Sequence, residues 1–235
     1  MRSRDPVQSR LVSVLIVSPL VSATGTVGQD ATPGTGSLFE DVTVSHVIGP
    51  PDEPKFGMAT SAADRDGDGD LDLAGTSEYA LNRILINDGT GRLTDESDTR
   101  LARTAGDHED VAVADFDVGG DPDLVFVGEN DHVNGYRLND SDAVFTDVTD
   151  RLPRCGTSNA VLAVDGDPDM VIGNNGQGFL FVSCGDGPFD DQAAERLPVS
   201  DDVTPDIEPG GIDRAGHIDL ILGNEDGNVV LVNDG

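Results

Sequence analysis

Five aspartates occupy every second position between residues 64 and 72, within "ADRDGDGDLDLAG" (63–75). Two carboxylates about 5 Å apart repel by roughly 3 kcal/mol at an effective dielectric near 20. A folded loop gathering four or five of them needs a cation; without one the stretch is solvated acidic coil. Asp64, Asp66 and Asp68 stand at the first, third and fifth places, Gly69 permits a sharp turn, and Asp72 closes at the ninth. The first half is the pattern of a helix–loop–helix calcium loop. That motif ends on a glutamate at the twelfth place with a helix following. Here the twelfth residue is Gly75, and the residues after Gly69 alternate like a strand. What remains is a metal loop closing a β-hairpin, with the carboxylates of Asp64, Asp66, Asp68 and Asp72 and the Asp70 carbonyl as ligands. Hard oxygen donors without histidine or thiolate select Ca2+ over zinc or copper.

The elements around this loop repeat. Its tail "DLDLAG" (70–75) recurs as "DPDLVFVG" (121–128), "DPDMVIG" (167–173) and "HIDLILG" (217–223), and the last aspartates are spaced by 51, 46 and 50 residues. A second apolar strand follows each: "ILINDG" (84–89), "YRLND" (136–140), "FLFVSCGDG" (179–187) and "VVLVNDG" (229–235). Asn-Asp-Gly and its relatives supply the positive φ angles of a hairpin. Then comes "LTDES" (93–97), "FTDVT" (145–149) or "FDDQA" (189–193), with "FEDVT" (39–43) standing before the first unit. Small-residue strands precede the loops at 58–63, 111–114 and 160–164, and this strand has decayed to "PDIEPGGI" in the fourth unit. Four short antiparallel strands per repeat of about 40–50 residues is the signature of a propeller blade. The fold class expected is all-β, a β-propeller of about four four-stranded antiparallel blades, as a closed small ring or an open partial propeller. If the ring closes, residues 39–43 supply the outer strand of the last blade, which removes an exposed edge.

The phrases "FEDVT", "ADRDGDGDLDLAG" and "ILINDGTGRLTDES" resemble the FG-GAP/VCBS repeat family, found in integrin alpha subunits and secreted microbial proteins. The similarity covers about residues 37–235, in units of roughly 39–92, 93–144, 145–188 and 189–235. The resemblance implies that the acidic loop joins the first two strands of a blade and binds calcium through Asp64, Asp66, Asp68, Asp72 and the Asp70 backbone. The second loop, "DFDVGGDPD", keeps Asp115, Asp117, Asp121 and Asp123, but Gly119 replaces the fifth-place acid. The third, "DGDPD" (165–169), is about four residues shorter, and the fourth keeps Asp213 and Asp219 with Arg214 between them. One strong site, one weaker site and two loops that bind nothing are therefore expected.

The 235 residues carry a formal net charge of −31, with 45 acidic against 14 basic residues and Lys55 as the single lysine. A high-salt habitat or an ordinary acidic calcium-binding protein accounts for such a surface. Nucleic acid is excluded as a partner, since no basic stripe exists to neutralise phosphates. The arginines of "MRSRDPVQSR", the apolar run "LVSVLIVSPLV" and "VSA" at 21–23 read as a signal peptide over 1–23, followed by a linker over 24–36. The apolar run is too short to span a bilayer, so the chain is not read as transmembrane. Cys155 and Cys184 fall on opposite faces of a blade in this topology, so two separate thiols are expected. The function expected is an exported, secreted or cell-surface calcium-binding module that holds a protein or carbohydrate ligand without catalysis. The alternatives are a propeller-based hydrolase or lyase, or a purely structural domain. "GDHED" (106–110) offers His108 with Glu109 or Asp110 as a base pair, or merely surface charge; no H-E-x-x-H or G-x-S-x-G occurs.

Overall fold

The computed structural model describes residues 39–49, 56–102, 105–129, 134–153, 156–164, 168–185 and 187–235. The expected signal segment and linker, Cys155, Asp165 and Asp167 lie outside them. Residues 41–235 form one compact unit.

Alternating and all-apolar runs fold into four consecutive antiparallel sheets. The first runs from an inner strand, Phe56–Ala63, through Asp72–Glu78 and Arg83–Asn87 to an outer strand, Leu93–Asp95. The second comprises His108–Ala114, Asp123–Gly128, Gly135–Asn139 and Phe145–Asp147. The third comprises Ser158–Val164, Asp169–Asn174, Gly176–Val182 and Asp190–Asp191. The fourth has three strands among the described residues, Asp206–Gly210, Asp219–Gly223 and Val229–Leu231. The decayed segment of the fourth unit is thus still a strand. Its Pro209 lies on the sheet's edge, where a missing N–H breaks no ladder. Ala80–Leu81 pairs with Ala105–Gly106 and laces the first sheet to the second.

The inner strands pack side by side in chain order, first on second, second on third, third on fourth. No packing of comparable extent joins the fourth inner strand to the first among the described residues. The architecture is that of propeller blades in an open arc. Residues 39–43 do not complete the fourth sheet, as ring closure requires. Thr43–His46 instead form a helical turn, and Val47–Ile48 pair in parallel with Leu93–Thr94 at the outer edge of the first sheet. That residue-for-residue pairing ties the segment to the first sheet.

Burial follows the arc. The second strand of the second sheet, Asp123–Gly128, is buried along its whole length, because sheets cover it on both sides. This explains the unbroken apolar run "LVFV". Leu124 and Phe126 face the first sheet, among Ala74, Ile84, Leu101, Val111 and Phe145. Val125 and Val127 face the third, among Phe116, Tyr136, Met170, Ile172, Phe181 and Phe189. The terminal sheet has one free face, and Ile221 and Val230 on it are exposed.

Candidate metal centre

In three sheets the acidic segment connects the inner strand to the second strand. The registers Ala63–Asp72, Ala114–Asp123 and Gly210–Asp219 fix its ends, and the third sheet closes more tightly at Val164–Asp169. The last aspartate of each segment is therefore the first residue of a strand. It is also fully buried in three cases: Asp72, Asp123 and Asp219.

That aspartate ties the loop to its sheet. Asp72 Oδ2 accepts the Arg65 N–H at 3.0 Å, and its Oδ1 accepts the Asn87 N–H at 2.9 Å. Asp123 repeats the pattern with Phe116 at 3.1 Å and Asn139 at 2.8 Å, and Tyr136 adds its hydroxyl at 3.0 Å. Asp219 does so with Ile212 and Asn233, and Asp169 accepts the Ser183 N–H at 2.8 Å. Each bond satisfies a backbone amide that the turn leaves outside the ladder. Sequence reasoning gave Asp72 and Asp123 a metal role alone and gave Asp169 and Asp219 none. The recurrence of aspartate even in the shortened third repeat was the signal of this second role.

The first loop folds around Asp64, whose two oxygens accept the N–H groups of Gly67 at 2.9 Å and Gly69 at 3.1 Å. Gly69 has φ +95°, a conformation that costs a side-chain-bearing residue energy. The fold brings one oxygen each of Asp64, Asp66 and Asp72 within 4.8 Å of one another. Asp68 lies outside this group and accepts the Asp70 N–H at 2.9 Å. The Asp70 carboxylate lies outside it too, beside Gly89. In the second loop Asp115, Asp117 and Asp123 gather in the same way. Asp121 points elsewhere and accepts the Ser141 hydroxyl at 2.8 Å. Both loops thus collect the first, third and ninth places. The fifth place, where Gly119 replaces an acid, belongs to neither group. Arg214 sits at φ +65° in the fourth loop, and Asp213 accepts the Ala215 N–H at 2.8 Å.

The electrostatics call for a positive charge. Burial pushes the Asp123 carboxyl up to about 7, with Asp117 adding to the rise and the bonds from Asn139 and Tyr136 opposing it. Burial raises Asp72 and Asp115 above the usual carboxylate range as well. Asp115 Oδ1 is buried without a hydrogen-bond partner. An orphaned carboxylate oxygen within a group of three is what a hard cation satisfies, and the all-oxygen donor set suits Ca2+. Asp64, Asp66 and Asp72 would hold one ion, and Asp115, Asp117 and Asp123 another. A bound cation would supply charge neutralisation and cross-linking of the loop.

Between Asp64 and Asp66, the Arg65 side chain turns inward and is fully buried. Its guanidinium donates to the carbonyls of Asp72 at 2.9 Å and Ala63 at 3.2 Å, and to Ser61 Oγ at 2.9 Å. Burial lowers its pKa to about 10, a drop that Asp72 partly offsets. Phe116 holds the same place in the second loop and packs edge-on against Tyr136 and Phe189. Each of these residues also bonds to the next sheet. Asn139 Nδ2 donates to the Arg65 carbonyl at 2.9 Å, and Ser183 Oγ donates to the Phe116 carbonyl at 3.3 Å.

The opposite ends of the strands carry a third acidic group that the sequence reading missed: Asp107, Glu109 and Glu129. Burial and the neighbouring Asp107, Glu129 and Glu78 raise the Glu109 pKa. His108 is neither on a loop nor at the surface. It is buried on the inner strand, 5.8 Å from the Phe126 ring, and Asp110 accepts the N–H groups of Val111 and Val161. Cys184 is an exposed free thiol. No helix among the described residues is long and apolar enough to cross a membrane.

A family model described as an FG-GAP-like repeat matches residues 64–126, from the first aspartate of the first loop to the second strand of the second sheet. Those residues carry a repeat of the family that the quoted phrases resemble. No curated protein matches. Among solved structures, the crystal structure of BBS1N in complex with ARL6DN, soaked with lead, is similar with a TM-score of 0.48 and 10% identity. The match covers 74% of this chain and 55% of that one, so this chain spans about half its length.

Proposed function

We propose that this protein is an exported, calcium-stabilised propeller module that binds a protein or carbohydrate ligand through its loops and does no catalysis. The observation that carries the reading is the gathering of the same three carboxylate places in two successive loops. Three charges this close repel by about 3 kcal/mol per pair at an effective dielectric near 20. Burying one of them at the root of a strand adds to the cost. A divalent ion turns both penalties into attraction and leaves each loop rigid at one end of the arc. Rigid scaffolds with exposed connections are where binding residues gather.

Extracellular calcium modules bind at about 10⁻⁴–10⁻³ M. Calorimetric titration of the protein with CaCl2 should show two binding events in that range. Asp66→Ala should remove one, Asp117→Ala the other, and the double variant both. Heats unchanged by either substitution would refute the assignment. Export is tested separately, by sequencing the N-terminus of protein recovered from culture medium; the reading expects a chain that begins just after residue 23.

A further inference from the structure

One side chain joins the two acidic loops. Asn139 ends the third strand of the second sheet and is only 7% exposed. Its backbone N–H donates to Asp123 Oδ1 at 2.8 Å, and Asp123 belongs to the second carboxylate group. Its Nδ2 donates to the Pro122 carbonyl at 3.2 Å, one residue before that aspartate, and to the Arg65 carbonyl at 2.9 Å. Arg65 lies between Asp64 and Asp66, two of the three carboxylates of the first group.

The orientation of this amide is dictated by the link. At the same place in the first sheet, Asn87 closes its own turn: its Oδ1 accepts the N–H groups of Gly89 and Gly91, each at 3.2 Å. Asn139 Oδ1 is instead buried with no hydrogen-bond partner. An acceptor that gives up water and gains no donor is unfavourable. Turning the amide over would be worse, since Oδ1 would then face two carbonyl oxygens. Both Nδ2 hydrogens are committed, one to each loop, and the side chain is held there at the expense of its own turn.

On the calcium reading above, we propose that Asn139 is a positioning residue for both sites and couples them, so that an ion in either loop raises the affinity of the other. Without ions the carboxylates of a loop push it open, and an ion gathers it. Gathering the first loop fixes the Arg65 carbonyl and with it Asn139, whose N–H then stands ready for Asp123. Gathering the second loop fixes the same amide from the other side. The ordering of the shared amide is a cost to the first ion only, which makes binding of the second tighter. Electrostatics acts in the opposite sense, because the first ion weakens the negative potential that attracts the second. That antagonism fades in molar salt, where the screening length is about 3 Å, while the hydrogen-bonded link persists. By linkage the effect is the same factor in both directions.

The test titrates the full chain with CaCl2 in 1 M KCl, by calorimetry and by the amide signals of residues 64–72 and 115–123, so that each loop reports its own dissociation constant. Asp117→Ala, which destroys the second site, should raise the constant of the first at least about fivefold, and Asp66→Ala should raise that of the second by the same factor, the lower end of ordinary coupling between sites. In an Asn139→Ala background each substitution should still remove its own site and leave the other's constant unmoved. Asn139→Leu, which leaves less of a cavity, takes its place should Asn139→Ala not fold; the reciprocal shift itself is read with Asn139 intact. Survivors that keep the parent's constant would overturn the coupling and leave the calcium sites standing. Coupling undiminished without the Asn139 amide would overturn its role, and heats unchanged by Asp66→Ala and Asp117→Ala would overturn both readings.

Discussion

Asp123 shows how one carboxylate serves structure and charge at once. Its oxygens accept two backbone amides and the Tyr136 hydroxyl, while Asp115 and Asp117 approach within 4.8 Å. Its folded pKa of about 7 lies above the unfolded value near 3.9. The folded state therefore holds the proton more tightly, and without calcium its contribution to stability is fully present below about pH 4. It is lost as pH rises toward 7. Denaturant unfolding in chelator should show this decline over pH 4–7, and Asp123→Asn should lack it. Saturating calcium, which favours the ionised form, should abolish the decline in the parent. A slope identical in parent and variant would contradict the assignment. The paired roles of this residue were only half legible. Alternating aspartates announce a cation, but nothing in "DPD" tells which acid will be buried at a strand's root. Arg65 was equally hidden, because its inward turn depends on three carbonyls that the fold brings together.

Among the elements, the strands were readable because apolar residues recur in short runs between turn signals, and the acidic loops because spacing and Gly69 fit one hairpin geometry. The helical turns after the outer strands were not. Four residues are too few to display a 3.6-residue period, and their aspartate starts look like any polar turn. His108 was misread for a related reason: acidic neighbours suggest a surface, yet the inner strand carries its ring into the junction against Phe126. Gly119 suggested a weakened second site; the structure gathers the first, third and ninth places in both loops and leaves the fifth outside. A further difference between the loops is Val118, a β-branched residue at φ +61° where the first loop has Gly67 at +76°. Such a residue in the left-handed region stores about 1–3 kcal/mol of strain. Glycine relieves it while adding some entropy to the unfolded chain. Val118→Gly should therefore stabilise the calcium-free protein by roughly 1 kcal/mol in urea melts; destabilisation would show that the valine side chain contributes packing that outweighs the strain.

At the scale of the molecule, four tandem sheets were legible from the spacing of their last aspartates, but their open arc was not. The angle between neighbouring sheets is set by how side chains such as Phe116, Phe189 and Met170 interdigitate, which no periodicity encodes. A net charge of −31 then acts on the whole arc. Raising salt from 0.1 to 1 M shortens the screening length from about 10 to about 3 Å. In chelator, where site binding contributes nothing, the melting temperature should climb over that range, and a flat or falling curve would show that self-repulsion does not limit stability.

The most direct test of the account is a calcium titration followed by amide NMR. Signals of residues 64–72 and 115–123 should move together with the Asn87 and Asn139 amides that Asp72 and Asp123 hold, while those of the fourth loop, 211–218, stay in place. Shifts spread evenly over the acidic surface, or none at either loop, would contradict it.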